Sequence, residues 1–130
     1  MIIDSSALVA ILRAEPEQAE FARIIAREAG GRLSAASYLE TAIVIDSARD
    51  PVTSRSLDVF LAASDISIAA VTPSQARIAR EAYRDFGRGS GHPAQLNFGD
   101  CLTYALAKEM GEPLLFKGDD FGHTDLSPAR

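Results

Sequence analysis

The sequence predicts an α/β fold: a three-layer sandwich with a central, mainly parallel sheet of four to five short strands flanked by helices. Three observations predict it. Short apolar runs alternate with longer segments in which apolar residues recur at helical spacing. Cap residues, glycines and prolines punctuate the chain where one kind of segment gives way to the other. Finally, 130 residues with 47% hydrophobic and 24% charged side chains make one globular domain, taken as 1–130, with no linker or internal repeat. Strands alternating with helices imply parallel pairing through right-handed helical crossovers.

Met1-Ile2-Ile3 is a short apolar run suited to a buried first strand. Asp4-Ser5-Ser6 are all good helix caps, and Ala7 to Ala14 reads as a helix with Leu8, Ile11 and Leu12 on one face. Pro16 suits the first turn of a second helix, which carries Phe21, Ile24 and Ile25 and ends at Gly30-Gly31. Arg32 to Ala35 is a short strand. A helix opens at Ser37-Tyr38-Leu39-Glu40, holds Ile43, Val44 and Ile45, and stops at Asp50-Pro51. Ser54 to Ala63 is a further helix. Ile66 to Val71, β-branched and bounded by Asp65 and Pro73, is the strongest strand and is read as central. Ser74 to Phe86 is a helix, and Gly87 to Asn97, with three glycines and Pro93, is a loop. Gly99 to Met110 is a helix closed by Gly111, and Pro113 to Phe116 is the last strand.

Composition excludes several classes of protein. The single cysteine, Cys101, allows neither an intrachain disulfide nor a zinc cluster. A lone thiol fits a reducing cytoplasm. The start lacks the basic residues and long apolar stretch of a signal peptide, and no apolar run approaches the roughly 20 residues of a membrane span. A cytoplasmic protein with no membrane partner is therefore expected. The net charge of −5 argues against a protein that coats nucleic acid electrostatically. It does not exclude an enzyme that cuts nucleic acid with clustered carboxylates.

In parallel sheets the functional crevice lies beyond the carboxyl ends of the strands. The residues there are acids: Asp4 after the first strand, Glu40 in the helix after the second, Asp100 opening the helix before the last strand, and Asp119-Asp120 after it. Each also has a structural explanation. Asp4 caps a helix, Glu40 pairs with Ser37 in an S-x-x-E capping box, Asp100 suits the helix dipole, and Asp119-Asp120 makes a turn. Jointly the structural explanation weakens, because converging carboxylates repel one another. The usual offset is a hard divalent cation such as Mg²⁺ or Mn²⁺. Such a cation lowers the pKa of a bound water and neutralises charge on a phosphodiester. The residues alone thus point to metal-dependent phosphoryl chemistry.

Four segments carry a resemblance: I-I-D-S-S-A-L-V-A-I-L at 2–12, S-A-A-S-Y-L-E-T at 34–41, L-N-F-G-D-C-L-T-Y-A-L-A at 96–107 and P-L-L-F-K-G-D-D-F at 113–121. Together, and in this order, they resemble the PIN-domain family, and the match is close to the VapC-type ribonuclease toxins of bacterial type II toxin–antitoxin pairs. The resemblance implies a Mg²⁺-dependent endoribonuclease acting on structured RNA, often tRNA or rRNA. It also implies a homodimer held silent by a small VapB-type antitoxin, in a heterotetramer or larger assembly. Asp4, Glu40 and Asp100 fall on the family's acidic positions, Asp4 and Asp100 on those assigned as metal ligands. Ser6 falls on a hydroxyl position that orients the Asp4 carboxylate or a water. At one point the chain departs from the pattern. Aligning on Asp120-Phe121 puts Gly118 where the family often has a fourth acid or an asparagine. Gly118 lets the backbone redirect the next side chain, so Asp119 is expected to take that role, with Asp120 left to turn structure and Phe121 buried.

Other residues are less telling. Arg77, Arg80, Arg84 and Arg88 share a helix face, opposite Ala79, Ala82, Tyr83 and Phe86. They form either a solvated face, interrupted by Glu81 and Asp85, or a phosphate-tracking stripe. His92 and His123 are read as structural, Cys101 as a small buried hydrophobe, and Lys117 as a surface charge. Two rival functions exist. A receiver-like or phosphatase-like protein also gathers acids at strand ends, but would need an acidic pair or D-x-D where Asp4-Ser5-Ser6 stands. A catalytically weak PIN-like module that only binds RNA or a partner would show no metal-dependent turnover.

Overall fold

Successive side chains of an extended chain point to opposite faces, and here that alternation builds both cores. The computed structural model, which describes residues 1–130, has strand β1 at Ile2–Ile3 and strand β4 at Leu114–Leu115. Ile2 and Leu114 pack into one apolar cluster, Ile3 and Leu115 into the other. Strands β2 (Gly31–Ser34) and β3 (Ile66–Ala69) complete a sheet ordered β3-β2-β1-β4, with every neighbouring pair parallel. The helices are α1 (Ser5–Leu12), α2 (Gln18–Glu28), α3 (Ala35–Asp46), α4 (Pro51–Ala63), α5 (Pro73–Phe86) and α6 (Phe98–Met110), with a short 3₁₀ turn at Asp120–His123. On one face α1, α2 and α4 supply Leu8, Ile11, Ile24, Ile25, Leu57 and Leu61; on the other, α5 and α6 supply Ala79, Ala82, Cys101, Tyr104 and Leu106. Helix α3 packs against α1, α4 and α6. This is the three-layer sandwich expected, with four strands.

Three expectations are corrected. The strongest strand signal, at Ile66 to Val71, belongs to the edge strand β3, whose Ser67 and Ile68 are exposed. β-branched composition reports fit to a pleated surface, not centrality. Pro51 does not merely stop a helix: it is the first residue of α4, with the Asp50 side chain accepting from Val52 N at 3.0 Å. And α3 begins before Ser37. Ser34 caps it by accepting from Ala36 N, so Ser37 and Glu40 form no capping box. Glu40 is instead the sixth residue of α3, free to serve a site. At the opposite edge the C-terminal tail covers β4, with Leu114 N donating to Ser127 O and Ala129 N to Leu114 O.

Candidate active site

Because all four strands are parallel, their carboxyl ends share one edge of the sheet, and the acids gather there. Asp4 caps α1: its backbone is extended and its Oδ2 accepts from Ser6 N at 3.0 Å. Its Oδ1 accepts from Thr103 Oγ1 at 2.8 Å. Thr103 has one hydroxyl proton, so Ser37 Oγ, 2.9 Å away, donates to Thr103 in turn. A chain of hydroxyls from α3 through α6 thus fixes the carboxylate, which is only 3% exposed. A buried carboxylate is tolerated only with such donors.

Glu40 reaches the same edge from α3, its Oε1 accepting from Ser5 Oγ at 2.5 Å. The start of α6 lies directly against it. A Cβ on Gly99 would stand 2.4 Å from Glu40 Oε2, so glycine here leaves the Glu40 carboxylate the position it occupies. Asp100 comes next, in a reciprocal capping box: Asn97 Oδ1 accepts from Asp100 N at 2.9 Å, and Asp100 Oδ2 from Asn97 N at 3.0 Å. Burial pushes the Asp100 carboxyl up from 3.8 to about 6, and the charges of Asp4, Asp120 and Glu40 add to the rise, against the Asn97 N–H. Asp4, Glu40 and Asp120 therefore all act on the Asp100 carboxyl. None of them is ion-paired with an arginine or lysine.

Gly118 sits at φ 98°, as the expected backbone turn needs. The turn brings the charge of Asp120, not that of Asp119, to bear on Asp100. Asp119 lines a separate hollow with Glu20, Phe21 and Ile24. The Ser6 hydroxyl also has a different task from the one expected. It accepts from Lys117 N at 3.0 Å, tying down the segment after β4, while the backbone N–H of Ser6 orients Asp4. Lys117 Nζ forms ion pairs with Glu15 and Glu17, at 2.7 and 3.0 Å. His92 is structural, its Nδ1 accepting from Ala94 N. Cys101 is buried, and burial pushes its thiol up to about 11.

No three His, Cys, Asp or Glu side chains stand in position to hold one ion together. Asp4 and Glu40 turn oxygens toward Thr103, Ser6 N and Ser5. The donor set nevertheless fits a hard divalent cation: the oxygens are anionic carboxylates, and no protein cation neutralises them. Sequence reasoning missed Thr103, Ser5 and Gly99. Thr103 had a usable signal, lying three residues after Asp100 and hence on a neighbouring helix position. Gly99 and Ser5 had none, since each acts through an approach between elements distant in sequence.

Comparison with known proteins identifies the family. A PIN domain family model matches residues 1–126. The chain is 59% identical over 129 residues to Ribonuclease VapC28 of Mycobacterium tuberculosis, covering 99% of this chain and 97% of that one. It is 48% identical to Ribonuclease VapC42 of the same species, over 99% of this chain and 98% of the relative. Among solved structures, the M. tuberculosis VapC20 toxin, described as cleaving the sarcin–ricin loop, superposes with a TM-score of 0.78 over 99% of this chain and 98% of its own, at 15% identity. That likeness confirms the fold. With the family match and these relatives together, the chain belongs to the PIN-domain family, among its VapC ribonucleases.

Proposed function

We propose that this protein is the Mg²⁺-dependent endoribonuclease toxin of a type II toxin–antitoxin pair, hydrolysing phosphodiester bonds in structured RNA such as tRNA or rRNA. One observation carries the proposal: the charges of Asp4, Glu40 and Asp120 all bear on the half-buried Asp100 carboxyl beyond the sheet, with no protein cation paired to any of the four. The ribonuclease names of the relatives support it. Asp4 and Asp100 would hold the cation, with Mn²⁺ able to substitute. When bound, the cation supplies acidity to a water and neutralises charge on the phosphodiester. Thr103 and Ser6 N hold Asp4 in place, and Ser5 holds Glu40. Glu40 and the fourth acid, which the electrostatics favour as Asp120 over Asp119, orient the attacking water for in-line displacement.

The control element is a VapB-type antitoxin. It buries an apolar helix on the toxin and places a basic residue among the acids, where opposite charge is favoured. We read the protein as a cytoplasmic homodimer, joined by the antitoxin in a heterotetramer or larger complex; no helix is long and apolar enough to cross a membrane. The test is incubation of purified protein with total RNA, with Mg²⁺ or with EDTA, beside Asp4→Ala. Cleavage is expected only for the wild type with Mg²⁺, leaving 5′-phosphate and 3′-hydroxyl ends. Equal cleavage in EDTA, or ends carrying a 2′,3′-cyclic phosphate, would overturn the proposal.

A further inference from the structure

The four acids are not held alike. Asp4 accepts from Thr103 Oγ1 and Ser6 N, Glu40 from Ser5 Oγ, and Asp100 from Asn97 N. Asp120 has no such donor, and its side chain is exposed. Its position is therefore set by its backbone. That backbone has little to hold it: residues 117–120 are all exposed, and Gly118 sits at φ 98° in open space. The last ladder bond of β4 runs from Asp4 N to Leu115 O. Beyond it, two residues anchor the turn. Phe121 follows Asp120 and is buried in the core between the sheet, α5 and α6, its ring edge-on to Phe116 at 5.4 Å. Lys117 precedes it.

Lys117 is tied at both ends of α1. Its N–H donates to Ser6 Oγ, in the first turn, at 3.0 Å. Its ammonium pairs with Glu15 and Glu17, beyond the last residue of α1, at 2.7 and 3.0 Å. An ammonium carries three donors, enough for both carboxylates. Glu17 Oε2 is out of solvent and accepts no hydrogen bond, so the Lys117 charge is what compensates it. The Lys117 side chain is 39% exposed, and half-exposed ion pairs add little to the stability of a whole fold. They suffice to place a short segment that nothing else holds. The far end of the segment is treated the same way: Asp125 accepts from Tyr104 Oη at 2.7 Å and pairs with Lys108 at 2.5 Å. Lys108 and Lys117 are the only lysines in the chain, and both fix the ends of segment 117–125.

Resting on the ribonuclease reading above, we propose that Lys117 is a positioning residue for the reaction: its clamp on Glu15 and Glu17 fixes the reach of Asp120 toward Asp100, and with it the water that Asp120 orients. Lys117 itself touches neither RNA nor metal. A lysine that gripped a phosphate would need its ammonium free, and here two carboxylates hold it. The clamp also couples the α1–α2 connection to the site, so Glu15 and Glu17 act on catalysis from outside the group of acids around Asp100.

The test breaks the clamp from either side. Lys117→Met, and separately Glu15→Gln with Glu17→Gln, are expected to lower kcat for RNA cleavage in Mg²⁺ about tenfold with KM unchanged, as loss of a group that orients another does. Lys117→Arg keeps the charge and is expected to stay near wild type. Combining Lys117→Met with both glutamines is expected to cost no more than either alone, because all three act through one contact. Thermal melts check that every variant is folded. In the metal-free protein, hydrogen exchange read by mass spectrometry is expected to quicken in peptides covering 116–121 in both broken clamps and to stay unchanged across β1 and α6. A raised KM at unchanged kcat overturns the proposal. So does a wild-type rate for the glutamine variant beside an impaired Lys117→Met, since either result gives Lys117 to the RNA. Exchange equal to wild type in both broken clamps overturns it as well. Wild-type protein that cleaves no RNA would retire the ribonuclease reading, while quickened exchange would still uphold the clamp on Asp120. Cleavage by the wild type that Lys117→Met matches would retire the clamp alone.

Discussion

Replacing Asp100 by asparagine is expected to stabilise the metal-free fold while abolishing activity. Burial, reinforced by the charges of Asp4, Asp120 and Glu40, raises the Asp100 carboxyl from 3.8 to about 6. The folded pKa lies above the unfolded one, so the protonated form favours folding. Its contribution is fully present below the unfolded value and is lost as the pH rises through about 6. At neutral pH the ionised group therefore opposes the fold, by about 3 kcal/mol at full strength. The partly open site screens this to about 1–2 kcal/mol. Asparagine removes the charge and keeps an oxygen to accept from Asn97 N, so the capping box survives. The expected outcome is a Tm about 5 °C higher than wild type at pH 7.5 in EDTA. The gap should narrow as the pH falls toward 4, where the wild-type carboxyl is already protonated. Mg²⁺ should raise the wild-type Tm, because it binds the folded state alone, and leave Asp100→Asn unmoved. Thermal melts monitored by circular dichroism at several pH values make the measurement. A lower Tm for Asp100→Asn in EDTA, or a gap independent of pH, would refute the reasoning.

Thr103→Val leaves Asp4 Oδ1 buried without its donor and should cost about 1–3 kcal/mol in urea unfolding, with Thr103→Ser restoring most of it. Gly99→Ala should cut RNA cleavage by about 100-fold, because the new methyl displaces the Glu40 carboxylate. The same change should leave thermal stability nearly intact, since alanine favours the helix by up to about 1 kcal/mol. Asp120→Ala should lower the cleavage rate about 10–100-fold, as loss of an orienting group does, while Asp119→Ala stays near wild type; rates at saturating Mg²⁺ decide between them, and the reverse order would return the role to Asp119.

The order of elements was legible because each depends on local pattern: apolar runs for β1 and β4, caps and glycines for the helices. That Asp4, Glu40 and Asp100 lie at one edge was legible because parallel strands deliver the residues beyond their carboxyl ends to one side of the sheet. Three things were not legible. The edge position of β3 depends on which strands pair, and β-branched residues suit edge and centre alike. The capping of α3 at Ser34 rather than Ser37 turns on where the backbone leaves the extended conformation, since the two serines cap equally well. The rivalry between Asp119 and Asp120 turns on the bend at Gly118, where a positive φ rotates the chain in a way that sequence spacing does not record.

The donors that hold the acids have a property in common: all are neutral. Thr103, Ser5, Ser6 N and Asn97 N each fix a carboxylate in direction without cancelling its charge. An arginine or lysine in any of these places would hold the carboxylate more strongly and stabilise the fold, but it would also occupy the field a divalent cation needs. The chain's cations are directed elsewhere. Lys117, one residue before the turn that carries Asp120, is bound to Glu15 and Glu17. Arg80 and Arg88 stand on the far side of the first turn of α6. A net charge of −5 is therefore compatible with binding a polyanion, because part of the negative charge is gathered at the carboxylates and away from these arginines. The same separation explains why neutralising Asp100 should strengthen the fold and silence the site at once: its unbalanced charge is the feature that folding resists and that the proposed cation would need.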